Sequence, residues 1–363
     1  MAFETELRIA TLAVQRASRI TTALSPSTRS SASLLKDASS PITTAADFAA
    51  QASLIAALHA AFPHDTFIAE ESSQQLRSAP ALIEHIWTLL TTTRISDPAA
   101  ASLALPKDRE DMLRIIDMGA SRGGPGRTWI MDPIDGTEAF VRGGQYAVCL
   151  ALVEDGVQRL AVLGCPNMAL DQGPISETTL PREGESGWLL SAVQGEGAWM
   201  QRLTWDVLEP RVPIPLRKEV GDIAGLKTVD AFASPTMDTG AHERVNELLG
   251  IKARATNLWS LQMKYVAVAV GGHDVMVRIP TYAGHRTAVW DHAGGQLLVE
   301  ETGYRVTDVF GKCIDFSRGR RCSANLGNVV APVEVHARVL EAVKNVHGFG
   351  EGVDGEGYPF ERA

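Results

Sequence analysis

No stretch of about 18 consecutive apolar residues occurs in this 363-residue chain, so the sequence offers no membrane-spanning helix. Cysteine is scarce. Cys149, Cys165, Cys313 and Cys322 stand far apart with no CxxC pair, which speaks for reduced, mostly buried thiols rather than a disulfide frame or a zinc site. Positive charge is also short: Lys and Arg total 34 against 43 Asp and Glu, a formal net charge of -9 that argues against a nucleic-acid scaffold while leaving room for a local basic pocket. The opening MAFETELRIA lacks the basic-then-apolar order of an export signal, so a cytoplasmic location is expected. What is present is core material. At 45% hydrophobic, the chain can bury a sizeable interior, and its length suits two domains or one large layered one.

Hydrophobic spacing alternates between the helical and the extended period. From Glu4 to Ile20, the residues Leu7, Ile9, Ala10, Leu12, Ala13, Ala17 and Ile20 recur three and four apart, which predicts an amphipathic helix. A Ser-rich run over 25–33 reads as a loop. Pro41-Ile42-Thr43-Thr44 leads into an Ala-rich helix over 45–62 capped by Thr43 or Thr44, which places Asp47 in the first helical turn. Residues 66–69 read as a strand that delivers Glu70 and Glu71 at its end. Helical spacing returns over 79–91, and the Gly/Pro-rich 121–126 reads as a loop. A strand over 128–131 ends at Asp132, and strands over 146–153 and 157–165 turn on Glu154-Asp155-Gly156, where glycine supplies positive φ. Beyond them, helices are expected at 240–249, 259–271 and 291–302, with strands near 228–233, 274–279 and 304–307. No internal repeat is evident. Gly, Pro and Ser cluster between Pro166 and Pro181, marking a boundary between a first domain of 1–170 and a second of 171–363.

The chemistry gathers at three places. Asp132-Pro133-Ile134-Asp135-Gly136-Thr137 lies between a strand and a helix start; proline holds Asp132 extended, and Asp135 follows three residues later across a turn, so two carboxylates can converge. Hard divalent cations take such oxygen ligands. Gly136 would let a phosphate approach the backbone, where the free N–H groups of a helix start favour an anion. Taken alone, the same string is an ordinary surface turn, since Asp, Pro and Gly are turn residues. Trp290-Asp291-His292-Ala293-Gly294-Gly295 places another carboxylate at a helix start, with small residues that allow a neighbour to approach. Its plain alternative is an aspartate favoured by the helix dipole. Glu70-Glu71 has the equally plain reading of a solvated charge pair.

Taken together, and in this order, these segments resemble the lithium-sensitive phosphatase superfamily of inositol monophosphatase, and within it the 3'(2'),5'-bisphosphate nucleotidases. The resemblance runs through residues 5–18, 41–51 (PITTAADFAAQ), 67–73 (FIAEESS), 132–140 (DPIDGTEAF), the hairpin 143–166 and the second signature at 290–303. It implies an α/β fold, a layered αβαβα sandwich of the inositol monophosphatase and fructose-1,6-bisphosphatase type. It implies two or three Mg²⁺ ions, the first held by Glu70, Asp132 and the Ile134 carbonyl, the second by Asp132, Asp135 and Asp291. Thr137, hydrogen-bonded to Asp47, would align and deprotonate the attacking water. Gly136, Thr137, His242, Ser260, Lys264 and Arg278 would contact substrate.

The activity so implied is lithium-sensitive removal of the 3'-phosphate from 3'-phosphoadenosine 5'-phosphate, its 2' isomer or its sulfated analogue, a reaction of sulfur assimilation, giving AMP and phosphate. Two positions depart from the pattern. Leu261 stands where the family's DSQAKY has serine, with Ser260 one residue early, and Glu138-Ala139 replaces a common Lys-Gly beside the metals. Two other functions fit the same residues: an inositol polyphosphate or monophosphate phosphatase, which shares every metal ligand, and a non-catalytic nucleotide or anion sensor. The partner expected is a small bisphosphorylated nucleotide acting on a monomer or homodimer, with no nucleic acid and no membrane.

Overall fold

The computed structural model describes residues 2–24, 41–232 and 234–349, with the side chains of 41–44 left aside. The Ser-rich loop expected over 25–33 lies outside the described residues. In chain order the elements are α1 (Glu4–Leu24), α2 (Pro41–Ala61), β1 (Thr66–Ala69), α3 (Pro80–Thr92), α4 (Pro98–Ala101), α5 (Arg109–Met118), β2 (Arg127–Asp135) and α6 (Thr137–Val141). Then come β3 (Ala147–Glu154), β4 (Val157–Cys165), β5 (Trp188–Val193), β6 (Gly197–Arg202), β7 (Val212–Pro213), β8 (Val229–Asp230), α7 (Thr239–Leu249) and β9 (Thr256–Asn257). The chain closes with α8 (Leu261–Ala269), β10 (Met276–Arg278), α9 (Ala293–Glu300), β11 (Tyr304–Thr307), β12 (Asn328–Pro332) and α10 (His336–Val346).

Strands β1 to β7 form one seven-stranded sheet in sequence order, with β1 parallel to β2 and the remaining pairs antiparallel. The period-two alternation of each strand sorts its residues between two cores. Trp129, Met131, Leu150, Leu152 and Val162 face α1 and α2, while Ile130, Cys149, Ala151, Ala161 and Leu163 face α8 and α9. A second sheet, β10-β12-β11, repeats the sorting: Met276 and Val330 point towards α8 and α9, and Val277, Val329 and Ala331 towards α7 and α10. The stack is therefore α1/α2, sheet, α8/α9, sheet, α7/α10, the five-layer αβαβα sandwich expected from the sequence.

Several boundaries move. The second helix begins at Pro41, a residue suited to a first helical turn, so Thr43 and Thr44 lie inside it rather than capping it, and Asp47 is its seventh residue rather than part of its first turn. The strand expected to stop at Asp132 runs on to Asp135, with the register against β3 shifting between those two residues. β8 is shorter than its expected 228–233, and the expected helix at 291–302 spans 293–300, leaving Asp291 just ahead of the cap residue His292. The sheet also continues past the stretch 166–181, since β4 pairs directly with β5. The β3–β4 turn places Asp155 and Gly156 at φ 51° and 80°, the positive pair that a two-residue hairpin requires.

Helices α8 and α9 form the central layer, and they approach closely because Gly295 carries no side chain. A Cβ there would sit 2.5 Å from Tyr265 Cβ and 2.6 Å from Gln262 Oε1. Gly295→Ala should lower unfolding stability by about 1–3 kcal/mol, read from urea denaturation, because neither helix can yield without disturbing a sheet. An unchanged midpoint would show that this layer is loosely packed.

Candidate active site

Four segments from both halves of the chain supply the site. β1 ends at Ala69 and delivers Glu70; α2 contributes Asp47 and, one turn later on the same face, Gln51. Gln51 fixes the end of β1 in place, donating to Glu71 O at 2.9 Å and Ile116 O at 3.1 Å and accepting from Glu71 N at 2.9 Å. The register shift in β2 lets Asp132 and Asp135 turn to one side. Gly136 then takes φ 90°, a left-handed conformation that begins α6. Asp291 arrives from the segment before α9.

One oxygen from each of Asp132, Asp135 and Asp291 lies within 4.8 Å of the others. Each aspartate also has one oxygen tied to a protein donor. Ile134 N donates to Asp132 Oδ1 at 3.0 Å, and Ala288 N to Asp291 Oδ2 at 3.2 Å. Asp135 Oδ2 accepts from Gln262 N at 2.9 Å and, in a short contact, from Ser260 Oγ. Gln262 ties this cluster to the next layer through Trp290 O and Gly295 N, both at 2.7 Å.

Crowding perturbs every one of these acids. Burial raises Asp132 well above the usual carboxylate range, and Glu70, Asp135, Asp291 and Asp47 raise it further. Asp291 is pushed up to about 7 by burial, Asp135 and Glu70, against the opposing Arg278. Glu70, exposed at the rim, is also pushed up to about 7, by desolvation, Glu71 and Asp135, against Arg321 and Arg320. Asp47 rises through burial and then through Glu71 and Glu70. Burial raises Asp135 too, but its hydrogen bonds and the Lys264 and Arg278 charges pull it back. A donor set of hard oxygens that repel one another when empty fits a divalent cation, so the residues present suit the metal that the resemblance implies.

A family model described as the inositol monophosphatase family matches residues 4–347. The chain belongs to the inositol monophosphatase family. It is 40% identical to a 3'(2'),5'-bisphosphate nucleotidase of Emericella nidulans, over 95% of this chain and 99% of that protein. It is 37% identical to a 3'(2'),5'-bisphosphate nucleotidase of Schizosaccharomyces pombe, over 95% of this chain and 97% of that one. Among solved structures, inositol monophosphatase II of Staphylococcus aureus superposes with a TM-score of 0.57 at 15% identity, over 95% of this chain and 97% of that chain. That likeness supports the family fold alone.

Membership in the inositol monophosphatase family does not fix what each remaining residue touches, and the contacts of four residues are as follows. Thr137 Oγ1 donates to Ile134 O at 3.2 Å and forms no hydrogen bond with Asp47, because the hydroxyl of the first residue of α6 turns back across Gly136. His242 is buried with both ring nitrogens committed: Ile279 N donates to Nε2 at 2.8 Å, so Nδ1 carries the proton shared with Asp230 at 2.7 Å. Ser260 is buried, its hydroxyl given to Asp135 and accepting Met263 N at 3.0 Å as the cap of α8. Gly136 meets Ser260 rather than open space, since a Cβ would fall 2.6 Å from Ser260 Cβ. Lys264 and Arg278 lie beside the acids. Burial, then Arg278, lowers Lys264 to about 7 against Asp230, Asp135 and Glu177, and Arg278 Nε is buried with no hydrogen-bond partner among the described residues.

Two contributors escaped the motifs. Glu177, which accepts from the Trp259 and Gln145 backbone N–H groups, sits in a loop without periodic signal. Arg320 lies in a Ser/Arg/Gly stretch that reads as plain solvated loop, although its Gly-rich neighbourhood is the one local hint of a structured turn.

Below about pH 7, Glu70 and Asp291 hold protons in the metal-free protein that a cation must displace. Calorimetric Mg²⁺ affinity should therefore strengthen from about pH 5.5 to about pH 7.5, with proton release, and level off above it. A flat profile would show that these acids do not bind the ion.

Proposed function

We propose that the chain is a Mg²⁺-dependent 3'(2'),5'-bisphosphate nucleotidase that hydrolyses 3'-phosphoadenosine 5'-phosphate to AMP and phosphate. The observation that carries this reading is the pairing of two opposite charge sets in one place: a cluster of carboxylates for cations, and beside it buried Lys264 and half-buried Arg278, whose Nε has no hydrogen-bond partner among the described residues. A substrate bearing two phosphates satisfies both. The names of the relatives, at 40% and 37% identity over nearly the whole chain, support the same substrate.

Asp132, Asp135, Asp291, Glu70 and the Ile134 carbonyl would hold the metal. When bound, Mg²⁺ would supply charge stabilisation for the phosphoryl group and lower the pKa of a coordinated water. The protein residues do the rest. Lys264 and Arg278 bind the phosphate that is not cleaved and so place the 3'-phosphate against the acids. Thr137, whose proton points to Ile134 O, keeps its lone pairs free to accept a hydrogen bond from the attacking water and orient it. Asp47, with its raised proton affinity, takes the proton that the water loses. The water oxygen bonds to phosphorus, the bond from phosphorus to the ribose 3'-oxygen breaks, and a proton ends on that oxygen. Ser260 acts through Asp135 rather than on the substrate, which also removes the difficulty of its being one residue early in the motif.

The test is phosphate release from 3'-phosphoadenosine 5'-phosphate, an inositol bisphosphate and an inositol monophosphate, each with Mg²⁺ and with or without Li⁺. The adenosine bisphosphate should be the best substrate, Li⁺ should inhibit, and Asp135→Asn should fold yet release no phosphate above background. Preference for an inositol phosphate would transfer the assignment to that substrate, and normal turnover by Asp135→Asn would refute the role of the carboxylates.

A further inference from the structure

Arg320 joins the Asp291 side of the acidic cluster to the Glu70 side. Its backbone belongs to the Asp291 side: Arg320 O accepts Val289 N at 3.1 Å, Ala288 and Arg321 form a β-bridge, and Cys322 N donates to Thr287 O at 3.0 Å. Its side chain belongs to the Glu70 side. Nη1 donates to Gly119 O at 2.7 Å, and Nη2 donates to Ala69 O at 2.7 Å and Glu70 O at 3.4 Å. Between these ends the guanidinium lies over the Trp290 ring, 4.7 Å from its centroid, one residue before Asp291. Gly119 O also receives Ala69 N at 2.9 Å, so the same fork grips both the end of β1 and the turn that follows α5.

The arrangement has little alternative use. The arginine lies over 200 residues along the chain from the carbonyls it reaches, is half-buried, and pays desolvation together with repulsion from Arg321, offset by Glu70. We propose that Arg320 is a positioning residue that fixes the spacing between Glu70 and Asp291, and thereby sets how tightly the cluster takes a divalent cation. The inference rests on the metal-binding reading of that cluster. It adds that affinity depends on a residue that touches neither metal nor substrate, acting through the backbone carbonyls of Ala69 and Glu70 and the ring of Trp290. Lysine would not substitute, because an ammonium offers neither the planar fork nor the flat face.

The experiment is Mn²⁺ titration of chelator-stripped full-length protein, with free Mn²⁺ read by electron paramagnetic resonance, on wild type, Arg320→Lys, Arg320→Met, Glu70→Gln and the Arg320→Lys/Glu70→Gln double variant. Arg320→Met should weaken binding by about 10–100-fold and Arg320→Lys nearly as much. In the Glu70→Gln background, Arg320→Lys should add less than about threefold, because the residue it positions is already lost. A general loss of packing would instead add in full, and that result overturns the inference, as does wild-type affinity in Arg320→Lys. Should Arg320→Met not fold, the Lys variant and the cycle decide alone. Absence of Mn²⁺ binding by the wild type would mark failure of the metal reading itself.

Discussion

Mutual repulsion among buried carboxylates is the constraint on which the rest of this structure depends. Asp132, Asp135 and Asp291 bring oxygens within 4.8 Å of one another in a region largely shut off from water, with Glu70 and Asp47 close enough to raise the same proton affinities. Left to themselves, such groups would take up protons or move apart. The fold opposes movement by giving each aspartate one fixed donor: Ile134 N, the Ser260 and Gln262 pair, or Ala288 N.

The layers explain why those donors stay in place. A register shift in β2 turns two aspartates to one side of a sheet whose two faces are both buried, so the strand has no room to relax outward. Helices α8 and α9 meet at Gly295, and Gln262 links that contact to both Asp135 and the Trp290–Asp291 segment. Electrostatics at the centre and packing between layers are thus parts of one arrangement. Lys264 and Arg278 stand beside it, and their charges lower the proton affinity of Asp135.

Much of this was legible in the sequence, for stated physical reasons. Helical spacing over 4–20, the Asp155-Gly156 turn and the small residues after Asp291 all depend on local geometry, and each appears where expected. The family resemblance also carried the five-layer order, which no local pattern encodes. What the sequence could not show is a side chain's partner distant in sequence: His242 and Ser260 read as substrate contacts, whereas Ile279 N and Asp230 engage the two nitrogens of His242, and Asp135, 125 residues earlier, takes the Ser260 hydroxyl. Thr137 forms a hydrogen bond with its own turn, a short-range competitor to the expected Asp47 bond. β5 and β6 escaped notice because their alternation is interrupted by small and polar residues, and Arg320 because nothing in its own neighbourhood announces a contact with β1.

The most direct measurement is thermal unfolding of Asp132→Asn beside wild type at about pH 8, first stripped of metal and then with saturating Mg²⁺. If the carboxylates are held together against their own repulsion to receive cations, the metal-free variant unfolds at a higher temperature than metal-free wild type, and Mg²⁺ stabilises the wild type far more than the variant. A metal-free variant less stable than wild type, with an undiminished gain from Mg²⁺, would contradict the account.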